Sequence, residues 1–241
     1  MTNDAARLVR ALLGAEKGQE HQAHILPQGC VVALSRDCGC GGEEIAQLLA
    51  KKLRVRCFDK ELLDAVVHES HQDRKALERL DERASGSMEA WVYSALLGRN
   101  ASPEDYWRSM SRVILNLGEH GGVFVGRGAH LILPKRRAFR ARLTGSLDVC
   151  AERLAKKEGI PLEGARKRVF EANAERHACI HAHFHRSISD ASTYDLVLNT
   201  DRLDCAAAVE IILFAVQQAG FDVPKEEVKA HAVMAGEAKR G

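Results

Sequence analysis

The stretch CVVALSRDCGCGGEEIAQLLAKKL, residues 30–53, constrains the architecture more than any other part of the chain. An apolar, β-branched run at 30–35 halts at a glycine cluster. Beyond it Ile45, Leu48, Leu49 and Leu53 recur at the three- and four-residue spacing of one helix face. A strand, a glycine turn and an amphipathic helix in such quick succession start a crossover connection, the unit from which parallel sheets are built.

The rest of the sequence repeats that alternation. RVRCFD (54–59), GGVFVG (121–126), AFRARLTG (138–145) and YDLVLNT (194–200) read as four more short strands. Leu147, Cys150, Ala151 and Leu154 mark a helix after the fourth, and CAAAVEIILFAVQQAG (205–220) marks another that closes at a glycine. The expected class is α/β, a five-stranded parallel sheet flanked by helices on both faces. Residues 60–120 show no strand and read as a helical insertion broken at ASGS (84–87) and GRNASPED (98–105). The expected domain is 29–220, with a peripheral amino-terminal extension at 1–28 and a tail at 221–241.

Composition excludes several classes of function. Lys and Arg total 35 against 33 Asp and Glu, and a formal charge of +2 argues against a nucleic-acid polymer as partner. With 46% hydrophobic residues but no apolar run of membrane-spanning length, the chain reads as a soluble cytoplasmic protein. Its 7 cysteines are odd in number and scattered, so reduced thiols are expected; Cys38 and Cys40 suit a tight loop better than a redox or metal pair.

The glycine cluster can be laid on the phosphate-loop signature G-x-x-x-x-G-K-[ST]. Arg36 then falls at the first glycine, Gly41 at the second, Gly42 at the lysine and Glu43 at the hydroxyl residue. Such a loop holds anions through inward-turned backbone N–H groups and the positive end of the following helix. Taken alone it is a lysine-free cradle or a bare turn. As a cradle its candidate binding residues are Ser35, Gly39, Cys40, Gly41, Gly42 and Glu43, with Arg36 the nearest compensating cation. Glu43 and Glu44 read first as helix-start acids and only weakly as Mg²⁺ ligands.

Together these segments resemble the cytidylate kinase-like family, a branch of the P-loop nucleoside-monophosphate kinases whose loop commonly reads like SREYGSGGREIA. Ser35, Arg36, Gly39, Gly41, Gly42, Glu44, Ile45 and Ala46 match, as do FDKELL (58–63), LDER (80–83), VFVGRGAHLIL (123–133) and YDLVLNT, over about residues 30–216. The resemblance implies a P-loop kinase fold with an acceptor-binding insertion at 60–120 and a lid at 157–190. It also implies ATP and Mg²⁺ as cofactors and a nucleoside monophosphate, CMP or dCMP first, as acceptor. Cys38 and Cys40 replace the loop's usual aromatic and serine, and HACIHAHFH (177–185) stands where relatives carry tyrosines.

Phosphoryl transfer demands positive charge and positioning more than acid–base chemistry. The candidate catalytic residues are therefore arginines. Arg127, just after the third strand, is placed on the acceptor phosphate. Arg176 resembles the lid arginine of a D-x-x-R pattern with Asn173 at the acidic position, and Arg168 is expected on the same helix face. Arg36 completes the set. Asp59 either caps the next helix or faces the acceptor. His177, His181 and His185 share a helix face that could reach a transition metal or make the lid pH-sensitive. Two other functions stay open: a catalytically silent nucleotide-binding module and a small-molecule kinase with another acceptor. The metal ligands and the oligomeric state stay unassigned.

Overall fold

The computed structural model describes residues 29–60, 63–64 and 103–224. Five parallel strands form its centre: β1 (Val31–Arg36), β2 (Cys57–Phe58), β3 (Gly122–Val125), β4 (Phe139–Thr144) and β5 (Leu196–Asn199), in spatial order β2-β3-β1-β4-β5. Between them lie α1 (Gly42–Leu53), α2 (Pro103–Gly118), the short α3 (Ala129–Ile132), α4 (Leu147–Glu158), the long α5 (Leu162–Phe184) and α6 (Cys205–Gln218). Four of the strands fall inside the predicted stretches, and β1 runs one residue past its own, to Arg36. The second is the shortest, because Arg54 closes α1 in the left-handed conformation (φ 56°) and only Cys57 and Phe58 remain to pair with Val123 and Phe124. Within the expected insertion Lys60, Leu63, Asp64 and α2 are helical; the ASGS break and LDER lie outside the described residues.

β1 sits between β3 and β4, so successive crossovers leave it toward opposite sides of the sheet. Open α/β sheets bind ligands at such a switch point, beyond the carboxyl ends of the strands. The alternation of the strands then assigns each side chain to a face. Val32 and Leu34 join Val123, Val125, Ala141 and Leu143 under α1, α4 and α6, whereas Val31 and Ala33 join Phe124 under α2 and α3. Covered on both faces, β1 reads as a continuous apolar run. Phe221, just past α6, extends the first cluster by packing edge-on against Phe139.

The helix ends differ in how they are closed. Ser146 caps α4 by accepting from the Val149 N–H (3.4 Å), and Asp204 caps α6 by accepting from the Ala207 N–H (2.7 Å). α1 is preceded by Gly41 at the capping position, which has no side chain to offer, so no side-chain cap closes its first turn. Helix α5 buries two different sides: Ala165 and Val169 belong to the first cluster, and Phe184 at its far end packs on the second. It therefore crosses the carboxyl edge of the sheet from one face to the other.

Buried polar groups occupy the second face. Arg140 of β4 holds Asp195 through Nε (3.1 Å) and Nη2 (2.7 Å). His130 is 4% exposed and stacks on Tyr194 at 4.7 Å. The Tyr194 hydroxyl donates to the Ile188 carbonyl (2.9 Å), so the His130 N–H at Nε2 donates to that hydroxyl (3.1 Å). Burial, reinforced by the charges of Arg142 and Arg140, lowers the His130 pKa to about 4. Between pH 6.5 and 4 the unfolded chain then binds a proton that the native chain refuses, and stability falls as pH falls through that window. Urea unfolding at pH 7 and pH 4.5 should show a loss of up to roughly 3 kcal/mol assignable to this imidazole, and His130→Gln should remove that part of the pH slope.

Candidate active site

The turn from β1 to α1 reverses through Gly39 (φ 80°) and Gly41 (φ 82°). At Gly39 a Cβ would stand 2.3 Å from the Cys150 carbonyl oxygen, so both backbone shape and space require glycine. The flanking N–H groups are committed: Asp37 donates to the Leu143 carbonyl (3.0 Å), Cys38 to Asn173 Oδ1 (2.8 Å) and Ile45 to the Gly41 carbonyl (3.0 Å). The N–H groups of residues 39–44 donate to no backbone carbonyl among the described residues. With the amino-terminal end of α1 behind them, they form an anion cradle. Glycines and open donors thus fit a nucleotide's phosphates.

The loop cysteines serve packing. Cys40 is 1% exposed, its thiol faces the Leu143 carbonyl (3.9 Å), and burial pushes its pKa up to about 12. Its carbonyl accepts from Thr200 Oγ1 (3.0 Å), which ties the loop to the end of β5. Burial also raises the Cys38 thiol, against an opposing pull from Arg176. Neither thiol is poised as a nucleophile at neutral pH.

Arginines surround the cradle. Arg142, buried in β4, donates from Nη1 to Ser35 Oγ (3.0 Å) and from Nη2 to Asp37 Oδ1 (2.8 Å). Arg36, between those two residues, turns the other way and pairs with Glu43 at 3.2 Å. Arg127 lies between Gly126 and Gly128, and all three are left-handed (φ 78°, 49° and 68°). Positive φ at an arginine is uncommon and here coincides with a two-pronged hold. Its Nε donates to Asp64 Oδ1 (2.9 Å) and its Nη2 to Asp64 Oδ2, while Tyr106 adds its hydroxyl to the same carboxylate (2.6 Å) and its ring beneath the guanidinium (5.9 Å). Burial alone would lower the Arg127 pKa, but its hydrogen bond with Asp64 and the charges around it carry the net shift upward.

The lid side of the site comes from α5. Arg176 Nη1 donates to the Arg36 carbonyl (3.2 Å) and lies 3.5 Å from Asn173 Oδ1. Burial and the neighbouring Arg36 charge lower its pKa, the mark of a cation held where an anion would be welcome. Arg36, Arg127 and Arg176 therefore converge at the carboxyl edge of β1 and β3. Arg168 stands apart, 59% exposed and ion-paired with Glu158, although its charge still reaches the Cys38 thiol. Asp59 immediately precedes helical Lys60, and its carbonyl accepts from the Leu63 N–H (3.0 Å).

His177, His181 and His185 lie on an exposed side of the chain, with His185 already left-handed at the end of α5. Among the described residues no group of three or more His, Cys, Asp or Glu side chains is placed to hold a metal ion, so the histidine face gathers no metal site. A Mg²⁺ carried by nucleotide phosphates needs fewer protein ligands, since phosphates and water fill most of its sphere. Glu43, at the loop's hydroxyl position, is a carboxylate that could serve such an ion, though it is engaged by Arg36.

Beside the cradle opens a cleft of about 1060 Å³ between the loop (Cys38, Gly41), α4 (Arg153, Leu154) and the segment after β5 (Asp201, Cys205). Arg153 secures that segment by donating to the Thr200 carbonyl (2.7 Å) and Thr200 Oγ1 (3.1 Å). Sequence inspection missed Arg153, Asp64 and Arg142. Only Arg142 left a signal, as an arginine alternating through the apolar strand FRARL.

A parallel sheet in the order β2-β3-β1-β4-β5, with a phosphate loop between β1 and α1 at its switch point, is the P-loop kinase fold. Residues 31–202 match the model of the cytidylate kinase-like family, and the chain belongs to that family. Among solved structures it is similar to an uncharacterized protein from Eubacterium ventriosum, at 20% identity and a TM-score of 0.60, over 78% of this chain and 98% of that one. A shikimate kinase from Bacteroides thetaiotaomicron (14% identity, TM-score 0.44, 78% of this chain and 98% of that one) and a gluconokinase from Sinorhizobium meliloti (12%, 0.45, 79% and 93%) are more distant. No curated protein matches the sequence.

Because Asp64 satisfies a largely buried guanidinium, removing it should cost more than losing a surface ion pair. Asp64→Ala is expected to lower stability by about 1–3 kcal/mol in urea unfolding, and Asp64→Asn by less, since an amide oxygen still accepts from Nε.

Proposed function

We propose that the chain is a phosphotransferase that moves the terminal phosphoryl group of ATP to a nucleoside monophosphate, with CMP or dCMP the first acceptors to try on family likeness. The observation that carries this reading is that Arg36 and Arg176 are held beside the glycine turn of residues 39–44, with Arg127 at the neighbouring carboxyl end of β3. Charge brought from separate elements onto one desolvated anion site suits a reaction whose demand is positioning and electrostatic stabilisation. Bound ATP with Mg²⁺ supplies the transferable phosphoryl group and neutralises part of its charge. The loop N–H groups and α1 hold the phosphates, and the cleft between α4 and the segment after β5 offers room for the nucleoside.

Arg127 holds the acceptor phosphate. Asp64 engages its Nε and Nη2, which among the described residues leaves Nη1 available to donate without the guanidinium having to reorient. The attacking oxygen belongs to a phosphate already ionised at neutral pH, so no side chain need act as general base. Asn173 and Arg176 tie α5 down on the loop, where a lid excludes water and limits wasteful hydrolysis. Arg168, paired with Glu158 at the rim, is a candidate to follow the lid as it closes. A cytoplasmic setting, where ATP and reduced thiols coexist, suits the whole.

ADP release from ATP and Mg²⁺ with CMP, dCMP, UMP, AMP, GMP and no acceptor tests this. Acceptor-dependent turnover is expected, falling by about 10²-fold or more in Arg127→Ala. Turnover with none of them, alongside measurable ATP binding, would replace the kinase by a silent nucleotide-binding module or a kinase with another acceptor.

A further inference from the structure

We infer that Arg36 stands in for the lysine of the phosphate loop, and that position 42 is glycine because the arginine stem fills the space a side chain there would need. The inference rests on the phosphate-binding reading of the loop and adds which side chain supplies its charge. A Cβ on Gly42 would lie 2.5 Å from Arg36 Cγ and 2.7 Å from Arg36 Cβ. The Gly42 backbone itself makes no such demand, because Gly42 is not among the glycines with positive φ. Among the described residues the three atoms nearest a side chain at the lysine's position all belong to Arg36.

The direction of Arg36 follows from the strand. Ser35 and Asp37 face Arg142 on one side of the sheet, so the residue between them must point to the other side, where α1 packs. From there the guanidinium spans the site. Its Nε and Nη2 each lie 3.2 Å from Glu43 Oε1 in the first turn of α1. Its Nη1 lies against Gly126, where a Cβ would come within 2.8 Å of it. Gly126 precedes Arg127, so Arg36 sits between the phosphate cradle and the acceptor turn.

A lysine on α1 would present one flexible point charge to the phosphates; an arginine from β1 presents a planar fork. Glu43, at the position where the signature places a hydroxyl, holds two nitrogens of that fork and leaves Nη1 toward the acceptor side. The side chain of Arg36 is 12% exposed and that of Glu43 is 51% exposed. Glu43 is thus a positioning residue, and the loop's cation comes from β1, where the usual signature takes it from α1.

The test uses the full chain, with inorganic tripolyphosphate binding by calorimetry and thermal unfolding as readouts. Arg36→Gly, which removes both stem atoms that a Gly42 side chain would meet, should weaken tripolyphosphate binding by about 10- to 100-fold. Adding Gly42→Lys to Arg36→Gly should recover most of that loss. Helix propensity favours alanine over glycine, yet Gly42→Ala should lower the melting temperature when Arg36 is present and leave it unchanged or higher in the Arg36→Gly background. Tripolyphosphate binding unaffected by Arg36→Gly, or a Gly42→Ala effect identical in both backgrounds, would overturn the inference. Arg36-dependent binding without ATP turnover would overturn the kinase reading while leaving this one standing, and a wild-type chain that binds no tripolyphosphate would overturn both.

Discussion

Arg142 is the interaction on which the site's geometry depends. Buried in β4, it reaches across to β1 and bonds Ser35 and Asp37, the residues on either side of Arg36. A buried guanidinium without partners is costly, so these contacts hold the end of β1 firmly against β4 where the chain leaves the sheet. The Asp37 N–H, donated to the Leu143 carbonyl, continues the strand pairing one residue further. The glycine turn begins from that fixed point, and the alternation of strand side chains sends Arg36 to the opposite face.

The converging arginines explain why an anion belongs there. Arg36 and Arg176 lie close enough for each to raise the cost of the other's charge, which shows as a lowered Arg176 pKa once burial is added. Glu43 and Asp37 offset part of this, but Asp37 is spent on Arg142 and Glu43 is half in solvent. Asn173 fits the same logic. An amide oxygen accepts the Cys38 N–H as well as a carboxylate would, without adding a negative charge beside a phosphate site. What Asn173 keeps at this position is the hydrogen-bond acceptor.

The fold was legible because its signals are local. Each strand is a short β-rich run bounded by glycines or turns, and β1, covered on both faces, is nearly continuous in apolar residues. The glycine turn between β1 and α1 was legible for the same reason. Asp64 was not, since nothing near it in sequence announces that it meets Arg127 across 63 positions. Arg153 was equally silent, because its partners are backbone carbonyls at 200–203 that any arginine could serve. The histidine spacing gave the helix correctly, and among the described residues no third group joins that face to complete a metal site.

The lysine-free loop then follows from geometry. In a P-loop the catalytic charge can come from any element that ends beside the cradle, and the carboxyl end of β1 qualifies as well as the first turn of α1. Placing it on the strand has two consequences. On the proposed kinase reading the cation enters between the donor and acceptor halves of the site, whereas one carried by α1 would start from the donor side. Its conformation is also set twice, by Arg142 fixing its neighbours and by Glu43 holding its fork, so that less side-chain entropy is left to lose when phosphate binds. The conditions are an empty position 42 and an empty position 126, and this chain has glycine at both.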